Sequence, residues 1–225
     1  LHLLSRRQRQ MCIRDSMNYA QMSKKKYLFY ILIHPVTGFE ELKYNRKGSL
    51  LYANILCALF TLANIIRAVV PSFLFRTGKI EDVNIFWIII GCVGGLFLFT
   101  VANWMFCTLL DGKGKFRELW IAVCYALLPY TAISIPLTLA GHLFTLDEAV
   151  FYYTFHGVLM FWSVCLAFIG IMVMQQFSIP KNILTIIFSL IGILIILFLL
   201  LLLFSLFQNV YIFIMTLISE ISFRI

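Results

Sequence analysis

Five apolar runs of bilayer length, joined by links of only a few residues, constrain this chain more than anything else in it. They lie at residues 50–74, 85–110, 119–141, 150–174 and 183–207. A crossing of the hydrocarbon core needs about 20 mostly apolar residues, and each run is long enough. In hydrocarbon every backbone donor and acceptor must be satisfied within the segment, so such runs are helices. The links are Arg-Thr-Gly-Lys, Asp-Gly-Lys-Gly-Lys, His-Leu-Phe-Thr-Leu-Asp-Glu and Ser-Ile-Pro-Lys. Connections this short join neighbours of opposite direction. The chain therefore reads as an all-α integral membrane protein, five transmembrane helices in an antiparallel bundle, preceded by a short interfacial amphipathic helix. Its composition agrees, with 62% hydrophobic and 12% charged residues, where soluble domains are roughly half apolar.

Four stretches follow from this reading. Residues 1–16 carry MCIRDS, which resembles translated sequencing-adapter sequence, so the native chain is expected to start at Met17. Residues 17–49 form a cytoplasmic segment whose apolar run YLFYILI is about half the length of a span and belongs in the interface. Thr37 stands three residues before Glu40, a capping-box spacing that predicts a short helix through FEELKYN. Phe39 and Leu42 give it an apolar side, and Lys43, Arg46 and Lys47 sit near anionic headgroups. The membrane domain is 50–207. As a single helix the chain from Ile183 to Arg224 would measure about 60 Å, so a break is expected at Gln208-Asn209, with 208–225 as an interfacial helix.

A net charge of +8 raises nucleic acid as a partner, but the cations cluster before the first span and in one loop and do not interleave with a folded surface. They read as topology signals. Counted from Met17, ten Lys and Arg on the N-terminal side face three on the other, placing the N-terminus in the cytoplasm and, after five crossings, the C-terminus outside. Lys113, Lys115 and Arg117 of the second loop and the basic N-terminal segment are expected to form one positive surface facing anionic lipid.

Polar groups inside spans are costly and point to an interior or a pathway. The first span carries Asn54, Asn64 and Arg67, the last two one turn apart, with Arg67 placed as a snorkelling anchor. Thr131, Ser134 and Thr138 in the third span, and Tyr152, His156 and Ser163 in the fourth, form two stripes expected to face each other through interhelical hydrogen bonds. Gly91, Gly94 and Gly95 offer a small-residue face for close helix packing. Pro129 and Pro136 remove two intrahelical hydrogen bonds from the third span, predicting a joint between Leu128 and Pro136 whose freed carbonyls are met by Thr131 and Ser134. Five cysteines stand singly in apolar surroundings and read as small hydrophobes, without metal-ligand spacing. No nucleophile elbow, HExxH or P-loop occurs, no cofactor motif is present, and the acidic residues lie outside the membrane core, so no enzyme is expected. Glu40-Glu41 with Arg46 invites comparison with paired-glutamate intramembrane proteases, but the arginine is one position too far and the pair lies in a connector.

The run HPVTGFEELKYNRKGS, the loop DGKGKFRELW, the proline-broken YALLPYTAISIPLTL, the start TLDEAVFY and the link IGIMVMQQFSIPKN together resemble the Yip1 domain family, its short bacterial members in particular. The resemblance covers Tyr27 to Arg224 and implies five spans with a cytoplasmic N-terminus. Eukaryotic relatives reside in Golgi and ER membranes, bind Rab-type GTPases through a long cytosolic N-terminal region and act in vesicle traffic; here that region is short and basic. Two readings follow. One is a non-enzymatic protein that organises membrane partners or lipids. The other is an accessory or permease-like component working with transporter subunits, resting on the proline-broken span and the two polar stripes.

Overall fold

Pro35 opens the helix that runs to Tyr44, because a residue without an amide hydrogen costs nothing in a first helical turn, where that donor has no partner. The structure, a computed structural model, describes residues 30–44, 48–70 and 83–224. The leader 1–16, Lys24 to Lys26, Arg46, Lys47, residues 71–74 and the first loop with Arg76 and Lys79 lie outside the described residues. Helix α1 runs Pro35–Tyr44, so it starts ahead of the expected Thr37–Glu40 capping box. The Thr37 hydroxyl instead turns back, donating to the His34 carbonyl at 3.4 Å and lying 3.1 Å from the Tyr30 hydroxyl.

Five segments are long and apolar enough to cross a membrane. They are α2 (Leu50–Val69), α3 (Ile85–Leu109), the pair α4 (Phe116–Ala126) and α5 (Leu128–Ala140) within one span, α6 (Ala149–Gln175) and α7 (Ile179–Arg224). No strand occurs among the described residues. Two helix starts are closed by local hydrogen bonds. Thr145 N–H donates to Glu148 Oε2 at 3.0 Å in the turn before α6, and Asn182 N–H bonds the Ser178 carbonyl at the start of α7.

The α4–α5 span is the axis of the bundle: 72% of its 18-residue apolar stretch is buried within the chain, against 28% or less in the corresponding stretch of every other span. Beyond its charged first turn, α4 buries Leu119 and every residue from Ile121 to Ala126. Helices α2, α3 and α6 surround it, α5 lies between α2 and α6, α7 lines α3, and α1 docks on α6. The apolar side of α1 is thereby covered by protein. Phe39 is fully buried, its ring filling the space over Gly170, where an added Cβ would sit 3.0 Å from the ring.

Four expectations are corrected here. The joint of the third span falls at Leu127, just outside the predicted stretch. Leu127 closes a tight turn onto the Cys124 carbonyl at 3.2 Å, and Pro129 then occupies the first turn of α5, where a proline is tolerated. Pro136 lies inside α5 without ending it. Gly91 and Gly95 have nothing within 4 Å of an added Cβ and Gly94 meets only its own helix, so these glycines form no close-packing face within the chain. They accompany a π turn, Ile90–Gly94, in a place where glycine weakens the α ladder. The close helix approach occurs instead at Gly192, against the Phe106 ring. Finally, α7 continues through Gln208 and Asn209 as one helix of 46 residues, because neither Pro nor Gly follows Gly192 to interrupt its ladder.

Candidate functional site

The loop from Asp111 to Lys115 is pressed against the end of α6. Asp111 takes a left-handed backbone, φ 60°, which reverses the chain as α3 ends. An added Cβ on Gly112 would lie 2.5 Å from Gln175 Oε1, and one on Gly114 2.9 Å from the Met174 carbonyl, so only glycine fits at either point. In that space Gly114 N–H donates to Gln175 Oε1 at 2.9 Å. The other side of the same helix end is held by α1: Lys43 Nζ donates to the Met174 carbonyl, and Gln176 Nε2 donates to the Tyr44 hydroxyl at 2.6 Å. Gln176 itself is left-handed, φ 57°, and turns the chain into α7. One helix end therefore clamps both α1 and the basic loop.

Lys113, Lys115 and Arg117 are exposed on this face, and Lys43 joins them from α1. Lys115 N–H donates to Glu118 Oε2 at 3.2 Å, closing the first turn of α4. Burial pushes the Lys43 amine below its ordinary value, with the nearby Lys113 charge adding to the effect and Glu118 opposing it. A groove of about 180 Å³ opens between α1 and α4, lined by Leu42, Lys43, Gly48, Lys115, Arg117, Glu118 and Ile121.

Both polar stripes are interior: Thr131, Ser134 and Thr138 of α5 and Tyr152, His156 and Ser163 of α6 are all buried, and α5 packs against α6. They do not bond to each other as expected. The Thr131 hydroxyl donates to the Leu128 carbonyl at 2.9 Å and Thr138 to the Ser134 carbonyl at 2.8 Å, each within its own helix. The carbonyls of Tyr125 and Ala132, which the prolines were expected to free, are not the acceptors. The hydroxyls of Ser134 and Ser163 and both ring nitrogens of His156 have no hydrogen-bond partner among the described residues. His156 packs edge-on against Tyr152, ring centroids 4.8 Å apart, with Tyr130 6.2 Å away on its other side. Tyr130 links this group to the first span: it donates to Asn64 Oδ1 at 3.3 Å and accepts from Arg67 at 3.5 Å, and Asn64 Nδ2 donates to the Phe60 carbonyl at 2.8 Å. Arg67 is exposed at the end of α2, yet it is tied to α5. Pro129 precedes Tyr130 and sets where α5 begins.

A second polar seam went unread in the sequence. Asn103 Nδ2 donates to Ser189 Oγ at 3.0 Å, joining α3 to α7, and Cys107 Sγ donates to Asn103 Oδ1 at 3.4 Å. Asn182, Thr185 and Ser189 are wholly buried at successive turns of α7, and Asn182 Nδ2 reaches the Phe168 carbonyl of α6 at 3.0 Å. The signal was present as a 182, 185, 189 spacing on the one polar side of an otherwise apolar helix. Asn54 was singled out; it accepts from Trp120 Nε1 at 3.0 Å, fastening α2 to α4.

Comparison with known proteins gives one match. A family model described as the Yip1 domain covers residues 29–219. No curated protein and no solved structure matches the chain.

Proposed function

Since the chain belongs to the Yip1 domain family, we propose that this multi-pass membrane protein is non-enzymatic and organises membrane partners or lipids at its loop face. The observation that carries this reading is the clamp at Met174 and Gln175, which fixes α1 and the basic loop as one surface bearing Lys43, Lys113, Lys115 and Arg117. With the N-terminus in the cytoplasm of a bacterial cell membrane, that surface faces the anionic leaflet, where each cation contributes about 1 kcal/mol of attraction. Pro129 and the Leu127 joint then set the span that carries this face.

The transport reading keeps one supporting observation, the buried Ser134 side chain of α5 and the buried His156 and Ser163 side chains of α6, which have no hydrogen-bond partner among the described residues. One reconstitution separates the two. Vesicles holding the protein and a fluorescent anionic lipid should show energy transfer from a donor on the loop, reduced when Lys113, Lys115 and Arg117 are changed together to Gln. They should also leak small solutes no faster than protein-free vesicles. Solute flux abolished by His156→Ala would overturn the organising reading in favour of transport.

A further inference from the structure

Among the described residues, three cations and one carboxylate converge on the groove between α1 and the start of α4. Lys43, Lys115 and Arg117 bring three positive charges and Glu118 one negative, leaving an excess of two. One of the three donors of Lys43 is held by the Met174 carbonyl, which fixes the ammonium in place and leaves two donors available. Arg117 stands in the first turn of α4, a helix of 11 residues whose positive dipole end adds to the same field. Its guanidinium fork matches two oxygens of one phosphate. Leu42 and Ile121 supply an apolar wall beside the charges. The volume of about 180 Å³ is several times the roughly 30 Å³ that one water occupies in the liquid.

We infer that this groove binds a phosphate monoester, the doubly charged group of a phosphatidic-acid-type lipid headgroup or of free phosphate. The charge excess suits a dianion better than the single charge of a phosphodiester, and the mixed lining suits a group attached to an apolar body. Lys113 is the internal control. It lies on the same loop and is equally exposed, but it does not line the groove. The inference rests on the lipid-organising reading and narrows it to one site.

The test uses the full chain purified in detergent, titrated with short-chain phosphatidic acid, short-chain phosphatidylcholine and inorganic phosphate, with binding read calorimetrically. Phosphatidic acid is expected to bind more tightly than phosphatidylcholine. The K115Q/R117Q pair should weaken phosphatidic acid binding about tenfold or more, the scale of lost charge-assisted hydrogen bonds. K113Q, which removes a charge from the same face but outside the groove, should weaken it by less than K115Q/R117Q does. E118Q, which removes the opposing charge and keeps a side chain able to cap the helix, should tighten it. Inorganic phosphate binding as tightly as the lipid assigns the groove to free phosphate, and weaker binding assigns it to the lipid. Equal losses in K113Q and K115Q/R117Q, or no preference for phosphatidic acid over phosphatidylcholine, overturn the site. Either result leaves the energy-transfer test of the broader reading standing, so the two failures are separable.

Discussion

Replacing Phe39 by Ala should release α1 from the bundle while leaving the five spans assembled. Phe39 is fully buried, its ring lies over Gly170, and it sits in a cluster with Ile31, Leu42, Ala122 and Met174. Truncating a buried Phe costs about 3–5 kcal/mol, part of it transfer to water and part the cavity left behind. A released α1 beside a membrane returns its apolar side to the interface and not wholly to water, so the low end, about 3 kcal/mol, applies. At about 1.4 kcal/mol per tenfold this raises the undocked population roughly a hundredfold. The reporter is Leu42→Cys, at a position 3% exposed in the docked helix, in a background with the native cysteines replaced. Its maleimide labelling, when opening is fast compared with reaction, is proportional to the undocked fraction. Labelling should accelerate about a hundredfold on adding Phe39→Ala. A rate unchanged within about twofold would show that the ring over Gly170 does not hold the helix.

Four further outcomes are expected. A double-mutant cycle on Asn103→Ala and Ser189→Ala should give a coupling of about 0.6 kcal/mol in detergent unfolding, the usual size for a hydrogen bond between membrane helices, and a coupling of zero would remove the seam as a stabilising contact. Spin labels at Arg117 and Leu139 should move apart toward about 33 Å, the span of an unbroken helix, in Pro129→Ala but not in Pro136→Ala; the reverse pattern contradicts a joint set at Leu127. Lys43, followed by NMR after isotopic methylation of its amine, should titrate below the ordinary lysine value of 10.5, because burial opposes its charge. With the folded value depressed, the unfolded chain binds more protons between the two values, so stability rises with pH from the lowered value to 10.5 and is lost as pH falls through it. Titration of Lys43 at or above 10.5 would refute the burial argument. A reporter active only in the cytoplasm, fused after Arg224, should be silent, and strong activity would reverse the proposed orientation.

Hydropathy made the spans legible because length in hydrocarbon is a one-dimensional property. The apolar runs at 85–110 and 150–174 became Ile85–Leu109 and Ala149–Gln175 with almost no displacement. Docking was harder to read, because its partners are distant in the chain. Nothing local in Phe39 announces Gly170, and Lys43 meets Met174 across 131 residues. The polar stripes were read correctly as interior, since polarity in a span forces burial. Their bonding was misread because a Thr hydroxyl satisfies itself on a carbonyl of the preceding turn before it reaches a neighbour, as Thr131 and Thr138 do. The glycines of α3 misled in another way: a missing Cβ permits close approach, but it equally permits a wider turn, and the composition alone does not separate the two. The seam through Asn103 and Ser189 was hidden by the apolar mass around it.

The length of α7 sets its inclination. Ile179 to Ile221 is about 64 Å of helix at 1.5 Å per residue, and beyond Ile196 every described side chain is exposed within the chain. To keep that whole length inside about 30 Å of hydrocarbon a straight rod would have to lean about 60° from the bilayer normal, well past the roughly 40° limit seen for spanning helices. The first turns of α7 are in addition held alongside α3 by Asn103 and by the Phe106 ring on Gly192, which ties the rod's lean to that of its neighbour. A straight α7 that crosses with the bundle therefore carries its last turns past the far leaflet, an apolar shaft that one bilayer alone does not shelter.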